Sequence, residues 1–155
     1  MNILLVNPLC RLPFLVPLGL GYIASVLRQE GHGVNVLDIN GFGYSEKEVE
    51  ILIGNLEFDI VGIGGLSSTY KYVKWLARTI RSQKPGVPIV AGNMVATAHP
   101  ELLLNNSDVD IAVIGEGEVT FKELVSAVVT GRDLGSVNGI FYKDNNNVVK
   151  TPPRE

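Results

Sequence analysis

Four times along the chain, an apolar β-branched run breaks into residues suited to binding. Val6 gives way to Asn7-Pro8-Leu9, Ile63 to Gly64-Gly65-Leu66-Ser67-Ser68-Thr69, Ala91 to Gly92-Asn93-Met94-Val95, and Ile114 to Gly115-Glu116-Gly117-Glu118. Glycine permits close backbone approach, hydroxyls and amides supply donors and acceptors, and a carboxylate in a glycine loop accepts a ligand hydroxyl or backbone donors. Such a set suits an amide, a phosphate or a bulky group laid against glycine. Each position also has a plain structural reading, as a tight turn or as a helix cap.

Acid–base machinery is missing from these loops. The single cysteine, Cys10, has neither histidine near it in sequence, so it reads as a spare small residue and not as a nucleophile. His32, between Gly31 and Gly33, falls in a helix-to-strand turn on the amino side of a sheet, and His99 beside Pro100 reads as a helix cap or a crevice residue. Asp38 resembles a ribose-binding acid, but no G-x-G-x-x-G precedes it, so a dinucleotide reading is poorly supported. There is no P-loop, no Ser-His-Asp order and no credible carboxylate pair. No residue is therefore assigned a catalytic or metal-ligating role. Arg11, in the long first loop, is a candidate partner for a carboxylate or phosphate.

The elements that must position these loops alternate along the chain. Strands are expected at 2–7, 34–39, 59–63, 87–91 and 110–114, with helices at about 18–30, 45–56, 70–83, 100–104 and 118–129. Val73, Leu76, Ala77 and Ile80 form one helical stripe; Phe121, Leu124, Val125 and Val128 form another. Ser45 followed by Glu48 predicts a capping box. Five strand–helix units in series predict an α/β, flavodoxin-like Rossmann-type fold, with a parallel five-stranded sheet of order 2-1-3-4-5 and helices on both faces. Its switch point lies between the first and third strands, so a ligand should touch the loops after Asn7 and Ile63 and reach toward the loop after Ala91. Residues 1–136 would form this domain, 137–150 a short C-terminal hairpin, and 151–155 a linker, as in a piece of a longer chain.

Composition limits the partners. Hydrophobic residues make up 46% and charged residues 19%, which leaves a thin solvated surface and suggests that another domain or subunit covers one face. Net charge is -3 with Lys and Arg scattered, so no basic stripe is available for nucleic acid. No run reaches the roughly 18 uncharged apolar residues of a membrane span. Leu12 to Val26, the stretch that raises the question, contains Pro13, Pro17 and two glycines and reads as a loop and buried helix. The single cysteine excludes an internal disulfide and fits a cytoplasmic setting.

Read together, Asn7-Pro8, P-L-G-L-G-Y-I-A-S-V-L at 17–27, G-H-G-V-N-V-L-D at 31–38, D-I-V-G-I-G at 59–64 and G-E-G-E-V-T-F-K-E-L at 115–124 form a recognisable pattern. In order and spacing they closely resemble the amino-terminal cobalamin (B12)-binding domain of B12-dependent radical S-adenosylmethionine (SAM) enzymes, which include methyltransferases and Mg-protoporphyrin ester cyclases. V-N-G-I-F-Y-K at 137–143 is similar to the hairpin that joins that domain to the catalytic barrel.

The resemblance implies cobalamin across the carboxyl edge of the sheet. The residues it implicates are Asn7, Pro8, Leu9, Pro17, Leu18, Gly64, Gly65, Leu66, Ser67, Ser68, Thr69, Gly92, Asn93, Met94, Val95, Glu116 and Gly117. Leu9, Leu12, Phe14, Leu15 and Val16 would cover the corrin face. The 4Fe-4S cluster and SAM would belong to a C-terminal radical SAM barrel of the parent chain, so this piece alone would not be catalytic. The D-x-H-x-x-G pattern of histidine-ligated cobalamin domains is absent, and no lower cobalt ligand is named. Gly64 stands where the family usually has serine, Asn93 where it has glycine and Val95 where it has histidine. Two alternatives remain at this point: a structural or substrate-contacting lid that no longer binds cobalamin, and a free-standing flavin- or nucleotide-binding module.

Overall fold

The computed structural model describes residues 1–12, 16–145 and 147–154. Phe14 and Leu15, expected over a ligand, lie outside the described residues. The strands are β1 (Asn2–Asn7), β2 (Gly33–Asp38), β3 (Ile60–Gly64), β4 (Ile89–Gly92), β5 (Ile111–Val113), β6 (Ile140–Asp144) and β7 (Asn147–Lys150). They form one sheet of order β2-β1-β3-β4-β5-β6-β7. The first five pair in parallel, with β1 between β2 and β3, so the expected order and switch point are present.

Alternate strand residues feed two cores, because successive side chains leave opposite faces. Leu4, Val6, Val61, Ile63, Ile89 and Ala91 pack with Val49, Ile53, Val73, Leu76, Ile80 and Leu103. Those partners come from α3 (Glu46–Asn55), α4 (Tyr70–Gln83) and α6 (Pro100–Asn106). Ile3, Leu5, Ile60, Val90, Ile111 and Val113 pack instead with Ala24, Leu27, Phe121, Leu124 and Val125. That second layer is α1 (Leu18–Gln29) and α7 (Gly117–Thr130). Burial on both faces is why the central strands read as continuous apolar runs.

The predicted capping box opens α3: the Glu48 amide donates to Ser45 Oγ at 3.3 Å, and the Ser45 amide donates to the Glu48 carboxylate at 2.8 Å. Two short helices were not anticipated. The glycine-rich exit of β2 coils into α2 (Ile39–Phe42), because the Asp38 carboxylate accepts from the Gly41 amide and Gly43 closes the turn at φ +67°. Residues after β4 form α5 (Met94–Thr97), begun by Asn93, whose side chain accepts from the Met94 amide.

The C-terminal hairpin extends the sheet instead of standing apart from it. Strand β6 runs antiparallel to β5, pairing Ile111 with Tyr142 and Val113 with Ile140. Residues 151–154, read as a linker, are docked. The Thr151 hydroxyl is 3.0 Å from the Ile140 amide and 3.1 Å from its carbonyl, Gly139 donates to the Pro152 carbonyl, and Arg154 binds Glu123 and Thr120 on α7.

One polar atom is left over in the first core. Tyr72 lies against Trp75 with ring centroids 5.0 Å apart, and its buried hydroxyl has no partner among the described residues. Burial, and then the charge of Glu46, push its pKa up to about 12, so it stays protonated. Tyr72→Phe removes an unsatisfied hydroxyl and keeps the ring, so thermal denaturation should show unchanged or raised stability, by up to about 1 kcal/mol. A clear loss of stability would show that the hydroxyl is satisfied.

Candidate functional site

A cavity of about 510 Å³ opens at the carboxyl edge of the sheet, between α1, α7 and the strand ends. Its mouth is built by the four loops singled out in the sequence. Asn7 and Pro8 leave β1, and Gly64, Gly65, Leu66 and Thr69 follow β3. Gly92, Asn93 and Met94 follow β4, Glu116 and Gly117 begin α7, and Pro17 and Leu18 begin α1. Five other expected residues do not line it, among them Leu12, which is exposed. Val95 is buried in the first core beneath Gly65, and Leu9 packs against the same core. Ser67 donates its hydroxyl to the Met94 carbonyl at 3.2 Å, tying two rim loops together, and Ser68 is exposed.

The floor and walls escaped the sequence reading. Leu5, Gly62, Val90, Val113 and Phe121 form the floor, and Leu20 and Ile23 of α1 form a wall. Leu5, Gly62 and Val90 are one lateral row, in register across β1, β3 and β4. The central glycine makes that row dip. A Cβ at Gly62 would stand 3.0 Å from both Leu5 Cδ2 and the Phe121 ring, so the aromatic edge rests where a side chain would be. Strand alternation was the available signal, since these residues share the face of Ile3 and Ile60.

The chemistry of the lining is selective. No lysine, arginine or histidine among the described residues contributes to it, and His99 sits in a separate depression with Glu101 and Phe141. Among the described residues no group of three potential metal ligands occurs. The polar groups of the lining are backbone N–H and C=O, the amides of Asn7 and Asn93, the hydroxyls of Thr69 and Thr97, and the carboxylates of Glu116 and Glu118. Both α1 and α7 begin at the mouth without a side-chain cap, which leaves first-turn N–H groups as donors. The Asn7 amide nitrogen donates to Asp38 at 2.7 Å, committing it to that bond and leaving the amide oxygen as acceptor. The site therefore fits a large group with an apolar body and a polar, amide-rich periphery better than a compact anion.

Residues 8–125 match the family described as the B12 binding domain. The chain belongs to that family. An uncharacterized methyltransferase of Pyrococcus horikoshii is 37% identical over 139 residues, spanning 89% of this chain and 30% of the relative. The anaerobic magnesium-protoporphyrin IX monomethyl ester cyclase of Synechocystis sp. is 30% identical over 163 residues, spanning 99% of this chain and 33% of the relative. The chain thus spans about a third of these curated relatives. The solved structure of the radical S-adenosylmethionine methyltransferase TsrM from Kitasatospora setae, with cobalamin and a 4Fe-4S cluster bound, superposes with a TM-score of 0.86. Identity to it is 23%, over 99% of this chain and 29% of that one, so the likeness is one of fold. These matches do not favour the flavin-binding and degenerate readings.

The three departures from the usual pattern have structural counterparts in this B12-binding domain. Asn93 adopts φ +63°, ψ -159°, a region almost confined to glycine, and its own side chain supports the turn by accepting from Met94. The residue has kept the glycine backbone. At Gly64 an added Cβ would meet Leu20 Cδ2 at 3.3 Å, so Leu20 of α1 fills the space that a serine would need. Val95 replaces a polar residue by packing inward.

Proposed function

We propose that this domain is the cobalamin-holding module of a larger radical SAM enzyme, a methyltransferase or cyclase. The observation that carries the reading is the cavity itself: a B12-binding domain with a glycine-rimmed opening of about 510 Å³ at its sheet switch point. Bound cobalamin would supply cobalt-centred chemistry such as methyl carriage. The chain's own residues bind and orient. Gly64 and Gly92 allow close approach at the rim, the first turns of α1 and α7 offer amide donors, and Leu5, Val90 and Phe121 keep water from the floor. Among the described residues the lining holds no histidine.

Around the mouth, Val16, Leu18 and Met94 are exposed, which supports a covering C-terminal radical SAM barrel in the parent protein. That barrel would carry the 4Fe-4S cluster and bind SAM, and a cytoplasmic setting would suit it. No described helix is long and apolar enough to cross a membrane.

Spectroscopic titration of the folded chain with hydroxocobalamin tests the reading. Saturable one-to-one binding is expected, together with a melting temperature that rises with ligand concentration. Absence of binding by both this chain and its full-length parent would overturn it.

A further inference from the structure

Among the described residues of the first loop one has a strained backbone conformation, and both of its neighbours are held by the same side chain. Arg11 sits at φ +57°, in the left-handed region that a non-glycine residue occupies at a cost. On one side of it the Cys10 amide donates to Asn40 Oδ1 at 3.2 Å. On the other side Asn40 Nδ2 donates to the Leu12 carbonyl at 3.0 Å. The Asn40 amide thus spans the strained residue with a donor and an acceptor, as a paired strand would.

We propose that Asn40 is a positioning residue for the cofactor site. It holds the backbone around Arg11 in the left-handed turn, and that turn places Cys10 and Pro8 along the cavity wall. The supports converge from one short segment. Asp38, two residues earlier, binds the Asn7 amide at the start of the loop and caps α2 through Gly41, so Asn40 stands on a helix whose start is itself pinned. Both ends of the 7–12 stretch are therefore referred to the exit of β2. Arg11 is exposed and Cys10 lines the cavity, so the clamp acts on the site through the backbone, without touching a ligand itself. The link from loop geometry to cofactor affinity rests on the cobalamin reading, whereas the clamp itself does not.

Trypsin separates the two, because its cleavage site after Arg11 lies inside the clamp. In the ligand-free full chain, Asn40→Ala should raise the rate at which the 1–11 fragment appears in mass spectra by roughly tenfold, the loss of two modest hydrogen bonds. Asn40→Asp keeps the acceptor for Cys10 and loses the donor to Leu12, so it should fall between. Unchanged cleavage in both variants would overturn the clamp. In hydroxocobalamin titration, Asn40→Ala should weaken binding by about tenfold. Adding Arg11→Gly should recover most of that loss, because glycine takes φ +57° without the clamp. A merely structural defect of α2 would not be rescued this way, so failure of the rescue would overturn the positioning role. Failure of both the wild-type chain and its full-length parent to bind hydroxocobalamin, alongside faster cleavage of Asn40→Ala, would sink the cobalamin reading and leave the clamp supported.

Discussion

Gly92→Leu should weaken hydroxocobalamin binding by at least about 100-fold while leaving the domain folded, a loss of roughly 3 kcal/mol in binding free energy. Gly92 ends β4 in register with Gly64, so side chains at the two positions leave the same face of the sheet. At Gly64 that direction leads to Leu20 of α1; at Gly92 it leads into open space, with nothing within 4 Å of an added Cβ. Its backbone is not left-handed, so a side chain is accommodated without strain. A leucine there must grow into the cavity that Gly92 lines. Spectroscopic titration reads the loss, and thermal denaturation of the ligand-free protein should show little change. Gly92→Ala serves as the intermediate case, and undiminished affinity in Gly92→Leu would place cobalamin elsewhere.

Gly62 makes the contrast. It also belongs to the cavity, yet an added Cβ would press on Leu5 and on the Phe121 ring at 3.0 Å. A substitution there would disturb the packing of α7 on the sheet as well as the site, so it cannot separate binding from folding.

These two glycines also show what the sequence disclosed and what it withheld. Gly92, Gly64 and Glu116 announce themselves because they interrupt apolar runs at strand ends, where one-dimensional pattern and three-dimensional edge coincide. Gly62 lies inside the run I-V-G-I-G, and only the lateral register with Leu5 and Val90 reveals it as a dip in the floor. The parallel order of the first five strands was legible from alternation and connection length. The attachment of the hairpin to β5 was not, because antiparallel pairing between distant segments leaves no local periodicity. Asn40 was hidden for a related reason: its bonds to Cys10 and Leu12 cross 28 to 30 residues, whereas its sequence neighbours show only a glycine-rich strand exit.

At the opposite edge, Arg81→Ala should lower stability by about 2–3 kcal/mol, a drop in melting temperature of roughly 5–10 °C for a chain of this size. The guanidinium of Arg81, in the last turn of α4, gathers the polar ends of two connections. It donates to the carbonyls of Pro85 at 2.8 Å and Val87 at 3.0 Å, and to that of Asp108 at 3.3 Å. It also meets the Asp110 carboxylate at 2.5 Å, and that carboxylate accepts from the Ile89 amide at 2.7 Å. The entries of β4 and β5 are thereby fastened to one side chain. Removing it leaves the Asp110 carboxylate with only the Ile89 amide among the described residues, and takes a donor from the carbonyls of Val87 and Asp108 at part-buried bonds. Water can serve the exposed Pro85 bond and part of the rest, because both charged side chains retain some exposure. Arg81→Lys keeps the charge but cannot match the planar fork, so it should recover no more than about half. Because this cluster binds the amino edge and the cavity opens at the carboxyl edge, hydroxocobalamin affinity of Arg81→Ala, measured well below its melting temperature, should match the wild type. Lost affinity in a folded Arg81→Ala would mean that the strand entries and the cofactor rim move as one body, and that the sheet between them transmits strain rather than isolating it.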